Sequence, residues 1–202
     1  MARELSDLEL SKIEDGLRWQ ITGKNKTDWK LNEGVPAKYA QRNRLIFALQ
    51  LASGLRIAST CAVRVGWVRT PEGKIRDIMR VPKEFIKGGK DRTITQPDGT
   101  VKVKKSKKKA FPVCITPLRE QIQEYLAACK FPLTDEDTLF FSNKTKKKKP
   151  AAEGKESAAK RMRVKNPIKG INPKSIENMY HALFFCLGLA DADEPGVVAT
   201  HR

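Results

Sequence analysis

Histidine and cysteine are both scarce in this chain of 202 residues, which has two histidines and four cysteines. The two histidines are His181 and His201, and no Cys-x-x-Cys pair accompanies them, so a structural zinc site of the usual ligand spacing is not expected. Cys61, Cys114, Cys129 and Cys186 are far apart and sit in apolar patterns such as Val113-Cys114-Ile115. They read as reduced, mostly buried thiols rather than a disulfide framework. No run of about 18 apolar residues occurs, which argues against a membrane span. The opening Met-Ala-Arg-Glu-Leu-Ser-Asp lacks the apolar core of a signal peptide and carries acids that a mitochondrial transit peptide would avoid. The expected compartment is the cytoplasm.

Positive charge, by contrast, is abundant. The formal net charge is +17, and two segments hold nearly all of it. Residues 83–109 carry ten Lys or Arg against Glu84, Asp91 and Asp98, and residues 144–169 carry eleven against Glu153 and Glu156. The rest of the chain is close to neutral. Charge concentrated in this way suits a polyphosphate partner, because each neutralised phosphate releases condensed counterions and strengthens binding. Lysine runs also occur as solvated loops or nuclear-import addresses.

Local signals point to a mixed α+β domain, mainly helical, with a small antiparallel sheet. Ser6-Asp7-Leu8-Glu9 has the form of a capping box opening a helix over about 7–19. A polar loop is expected over 22–36, and a helix over about 37–52 carries Leu45, Ile46, Leu49 and Ala52 on one face and stops near Gly54. A short helix is expected over 57–65. Between residues 67 and 115, short β-prone runs at 75–81, 93–95, 101–103 and 111–115 alternate with the turn signals Gly88-Gly89 and Pro97-Asp98-Gly99. Thr116-Pro117 and Asn172-Pro173 each read as an N-cap followed by a first-turn proline. A strand is expected at 138–141. Residues 143–170, rich in Lys, Ala, Glu and Gly, are expected to form a disordered insertion, because so little apolar surface cannot offset the chain entropy.

Leu51-Ala52-Ser53-Gly54-Leu55-Arg56-Ile57, an apolar helix ending in Ser-Gly-Leu-Arg-Ile before a short helix and Trp67, resembles the first catalytic box of the tyrosine recombinases, or phage integrases. The resemblance extends from about residue 6 to the end of the chain. It implies a DNA breaking-rejoining catalytic domain in which Arg56 clamps the scissile phosphate. A guanidinium suits that task, since its planar fork matches two phosphate oxygens and stabilises charge developing at phosphorus. The segment from Val101 to Val113, leading into the Thr116 helix, is similar to the family's lysine-bearing stretch between its last two strands. The resemblance gives Lys105 the role of protonating the departing 5′ oxygen, with Lys107 and Lys90 as alternatives. Lys87, Lys90, Arg92, Lys104, Lys107, Lys108 and Lys109 are expected to contact DNA. Thr200-His201 resembles the approach to the second box, making His201 a proton-transfer or phosphate-contacting group.

Several features depart from the family pattern. Ser59 stands where an acidic residue usually supports the arginine. The chain ends one residue after His201, so the second arginine and the nucleophilic tyrosine would lie further on, and the resemblance implies a partial domain inactive as given. Tyr39, Tyr125 and Tyr180 fall on expected helices ahead of the second box and read as core or surface residues. The implied partner is double-stranded DNA, with room for a homo-oligomer on it, and no membrane, metal or small-molecule cofactor. Two other readings stay open: a non-enzymatic basic DNA- or RNA-binding module, and a ribosome-associated or structural basic protein.

Overall fold

A computed structural model describes residues 5–23, 28–95, 99–129, 132–142 and 170–190, with only the backbone described at Arg92. The capping box at Ser6 forms. Its hydroxyl accepts the Glu9 backbone N–H while the Glu9 carboxylate accepts the Ser6 N–H at 2.9 Å, which starts α1 (Asp7–Gly16). The helix stops three residues short of the expected end, because Trp19 enters a hairpin: β1 (Trp19–Thr22) pairs antiparallel with β2 (Lys30–Pro36). Much of the expected 22–36 loop is therefore strand. Trp29, at the head of β2, fixes the hairpin by packing edge-on to His181 and Phe185, with ring centroids 5.6 and 6.0 Å away.

Leu45, Ile46, Phe47, Leu49 and Gln50 are buried on α2 (Ala40–Ser53). Gly54 ends that helix in the left-handed region, with φ of 63°, where a Cβ would be strained. The short helix expected at 57–65 divides into α3 (Ile57–Cys61) and α4 (Val65–Val68). Between them the chain opens to exchange backbone bonds with 137–139: Leu139 N–H donates to Val63 C=O at 2.7 Å, and Val65 N–H donates to Asp137 C=O at 2.9 Å. Those same bonds replace the strand expected at 138–141. Thr138 and Phe141 make single bridges, to Arg64 and Gly170, and Leu139, Phe140 and Phe141 go into the core.

The single sheet expected between 67 and 115 is two separate ladders. β3 (Ile78–Val81) pairs antiparallel with β6 (Phe111–Cys114), turning Met79, Val81 and Val113 inward. β4 (Arg92–Thr95) pairs with β5 (Val101–Lys104) as a two-stranded ribbon whose described side chains are exposed. The ladders part because Pro82, which lacks an N–H to continue β3, leads into a 3-10 turn at Lys83–Phe85 and then the Gly88-Gly89 bend.

A second 3-10 turn at Thr116–Leu118 precedes α5 (Arg119–Ala127), so the helix proper starts after the expected cap. α6 (Pro173–Cys186) begins as expected, with Asn172 Oδ1 accepting the Lys174 N–H at 3.0 Å. Ile176, Tyr180, Leu183 and Phe184 seal one hydrophobic cluster that runs from Ile13 on α1 through α2, β3, β6 and α5 to α6. The fold is thus a mixed α+β arrangement with small antiparallel pairs.

All four cysteines are free, but only Cys61 is buried. Cys114 is exposed because it shares the outer face of the β3–β6 ladder with Ile78, its register partner. The insertion expected at 143–170 lies outside the described residues except for Gly170. Among the described residues, no helix is long and apolar enough to cross a membrane.

Candidate nucleic-acid interface

Arg56 owes its position to the two residues before it. Gly54 reverses the chain at the end of α2, and Leu55 is buried, so Arg56 follows in an extended conformation as the N-cap of α3. Its carbonyl accepts the Thr60 N–H at 2.9 Å and the Thr60 hydroxyl at 3.2 Å, which holds the backbone. Its side chain points to solvent and has no hydrogen-bond or ion-pair partner among the described residues. Arg64, Arg69 and Arg119 differ in this respect, being paired with Glu136, Asp135 and Asp77. Arg56 is therefore a solvated cation on a fixed backbone, available to an anion.

One turn along α3, the Ser59 hydroxyl donates to the Phe85 carbonyl. The Phe85 ring packs edge-on to Trp67 of α4 at 5.1 Å, so the turn at 83–85 is held by both short helices. Ser59 has a clear local function here: its hydroxyl donates to a carbonyl, which a carboxylate could not do.

From that turn the chain runs over Lys87 and Lys90, both exposed, to Asp91. Gly89 is required on the way, since a Cβ there would lie 1.5 Å from the Lys83 carbonyl oxygen. Asp91 Oδ1 accepts the Ser106 backbone N–H at 2.7 Å and the Lys83 ammonium at 3.2 Å. These two hydrogen bonds, with Lys105 close by, hold its carboxyl below the usual carboxylate range. Ser106 in turn donates its hydroxyl to Gly88 C=O at 2.8 Å and accepts the Lys108 N–H at 3.2 Å.

Two stretches far apart in sequence are thereby tied together, 83–91 and 104–109. Lys104, Lys105, Lys107, Lys108 and Lys109 are all exposed around this junction. Arg92 is placed opposite Lys104 in the ribbon register. The structure thus gathers Lys87, Lys90, Arg92, Lys104, Lys105, Lys107, Lys108 and Lys109 into one region, which is joined to the Arg56 helix through Ser59 and Phe85. His201 lies outside the described residues.

The chain matches no protein-family model, no curated protein and no solved structure. What the region can do rests on its own chemistry. Like charges held close together repel unless an anion lies between them, and exposed ammonium groups on a short ribbon offer point contacts to phosphate. Among the described residues, no cluster of His, Cys, Asp and Glu could hold a metal ion.

Sequence reasoning missed Ser59, Phe85, Asp91 and Ser106 as organising residues. Gly88-Gly89 was the available signal, marking a sharp bend inside a lysine-rich segment. Nothing in the sequence tells which carboxylate would meet Ser106.

Tyr125 and Tyr180 are buried, and burial pushes both phenols well above their ordinary range. Tyr39 lies at the N-cap of α2 with the Arg42 guanidinium 4.3 Å from its ring centroid.

Proposed function

We propose that the chain binds double-stranded DNA through the surface formed by Arg56 and the lysines of 87–90 and 104–109, within site-specific recombination or integration by a phosphotyrosine strand-exchange mechanism. On this reading the domain has the DNA breaking-rejoining fold. Arg56 grips the scissile phosphate, Lys105 serves the departing 5′ oxygen, and His201 completes the set. The observation that carries it is the tie between the exposed Arg56, unpaired among the described residues, and the lysine-bearing turn, made by Ser59 to Phe85 and by Asp91 to Ser106. Such an assembly of exposed cations is unfavourable for stability alone and suits a polyanion.

A non-enzymatic basic nucleic-acid-binding module is the second reading, favoured by the exposed lysines of 87–90 and 104–109, which hold phosphate by charge and need no nucleophile. Fluorescence-anisotropy titration of duplex DNA across a salt series, with the parent, Arg56→Ala and Arg56→Lys, tests both. A phosphate clamp needs the guanidinium fork, so Arg56→Lys, a point charge without the fork, should recover only part of the affinity that Arg56→Ala loses. A purely electrostatic surface would accept lysine in full. Affinity that does not change between low and moderate salt would remove both readings.

A further inference from the structure

A carboxylate in the middle of a lysine array weakens attraction for a polyanion, yet Asp91 sits at the centre of this one. Its contacts give a reason. Asp91 receives the Ser106 N–H at 2.7 Å, while the Ser106 hydroxyl donates to Gly88 C=O at 2.8 Å and accepts the Lys108 N–H at 3.2 Å. Ser106 is thus tied twice to the 88–91 stretch, and Lys104, Lys105, Lys107, Lys108 and Lys109 are exposed on the backbone around it. The backbone N–H bonded to the carboxylate orders the turn, and the same oxygen accepts the Lys83 ammonium at 3.2 Å, so the anchor engages one lysine and leaves those of 104–109 exposed.

We propose that Asp91 is a positioning residue, whose carboxylate holds the 104–109 turn against 83–90 so that the lysines meet DNA phosphates as a preset array. This rests on the DNA-binding reading above. Two effects of opposite sign then act at one side chain. The negative charge opposes polyanion binding, while the anchor lowers the ordering entropy that binding would otherwise cost.

Asp91→Asn and Asp91→Ala separate the two effects, because each removes the same charge but only asparagine keeps an oxygen for Ser106. The full chain and both variants are titrated with duplex DNA at one salt concentration, alongside amide hydrogen exchange at Ser106. Asp91→Asn should bind as tightly as the parent or more tightly, with the Ser106 amide still protected. Asp91→Ala should lose that protection and bind about threefold or more weakly than Asp91→Asn, the factor that one ordinary hydrogen bond makes in an equilibrium.

If Asp91→Ala does not fold, Asp91→Leu decides instead: it keeps the shape of asparagine, removes the same charge and offers no acceptor to the Ser106 N–H, so it should bind more weakly than Asp91→Asn. Affinity for Asp91→Asn equal to that of Asp91→Ala, or of Asp91→Leu where that pair decides, would overturn the positioning role while leaving DNA binding intact. A parent chain that does not bind duplex at all would instead remove the DNA-binding reading, and this inference with it.

Discussion

The Tyr180 hydroxyl donates to Gln50 Oε1 at 2.9 Å, joining α6 to α2 across 130 positions in sequence, with both side chains buried. The Gln50 Nε2 has no partner of its own among the described residues, so this one bond satisfies the only paired end of a buried amide. Tyr180→Phe keeps the edge-on contacts with Phe47 and Phe184 but leaves the amide without a partner. It should cost about 1–3 kcal/mol, the range for stranding a buried polar group, as measured by urea unfolding. Adding Gln50→Leu should recover much of that loss, since replacing both partners by apolar groups is close to neutral.

Ser59→Ala removes the hydroxyl that joins α3 to the 83–85 turn, while the packing of Phe85 on Trp67 remains. Stability should fall by about 1 kcal/mol, the net worth of one hydrogen bond. Affinity for duplex DNA should also fall, although no charge has changed. Thermal unfolding together with DNA titration checks this, and a variant that loses stability without losing affinity would show that the Arg56 helix and the lysine turn act independently.

Arg56→Ala should leave the fold intact, since the guanidinium is exposed and unpaired among the described residues, and surface changes of this kind lie within about 0.5 kcal/mol. The slope of log affinity against log salt should drop by roughly one for the lost phosphate contact. Mass spectrometry should find no phosphotyrosyl DNA adduct with the parent or the variant, because Tyr125 and Tyr180 are buried and Tyr39, against the Arg42 guanidinium at the start of α2, has no base beside it among the described residues.

Signals that depend on near neighbours were legible in the sequence. The Ser6 capping box, the Gly54 helix stop and the Asn172-Pro173 start each rest on contacts within a few residues, and each appears in the structure. Elements held by distant partners were not legible. β2 contains Gly34 and Pro36, both poor strand residues, and forms because β1 and the Trp29 contacts hold it. Leu139-Phe140-Phe141 has a strand-like composition but is fixed by bonds to 63–65 and 171. The candidate site divides the same way: the Ser-Gly-Leu-Arg-Ile pattern points to Arg56 locally, whereas the contact of Asp91 with Ser106, fifteen positions on, has no local signal.

Burial pushes the Cys61 thiol up to about 11, with Arg42 acting in the opposite direction. The unfolded chain would release this proton near pH 9, so the stability held in the neutral thiol is complete below about pH 9 and is lost as pH rises through about 11. Cys61→Ala should flatten the fall in stability between those values, measured by urea unfolding at a series of pH values. Alkylation by iodoacetamide at pH 8 should modify exposed Cys114 first and Cys61 last.

Phe141 and Gly170 form an antiparallel bridge, and the Ile171 N–H donates to Phe140 C=O at 2.9 Å, so the two ends of the stretch between them lie side by side. Deleting 144–165 therefore need not pull the core apart, because the few residues left can close the gap. Loop-closure cost also grows only slowly with length, so a shorter connection should leave stability the same or slightly higher. The deletion removes Lys144, the run 146–149, Lys155, Lys160, Arg161, Arg163 and Lys165, along with Glu153 and Glu156. Each of these cations that contacts a phosphate contributes roughly −0.9 to the salt slope, so the slope should flatten by several units in the deletion variant. The contribution of 83–109 should remain, giving weaker but still salt-dependent binding. Circular dichroism melts and anisotropy titrations on the same preparation read the two effects separately. Unchanged salt dependence would assign DNA contact to the 83–109 region alone, and loss of cooperative melting would show that the stretch supports the core.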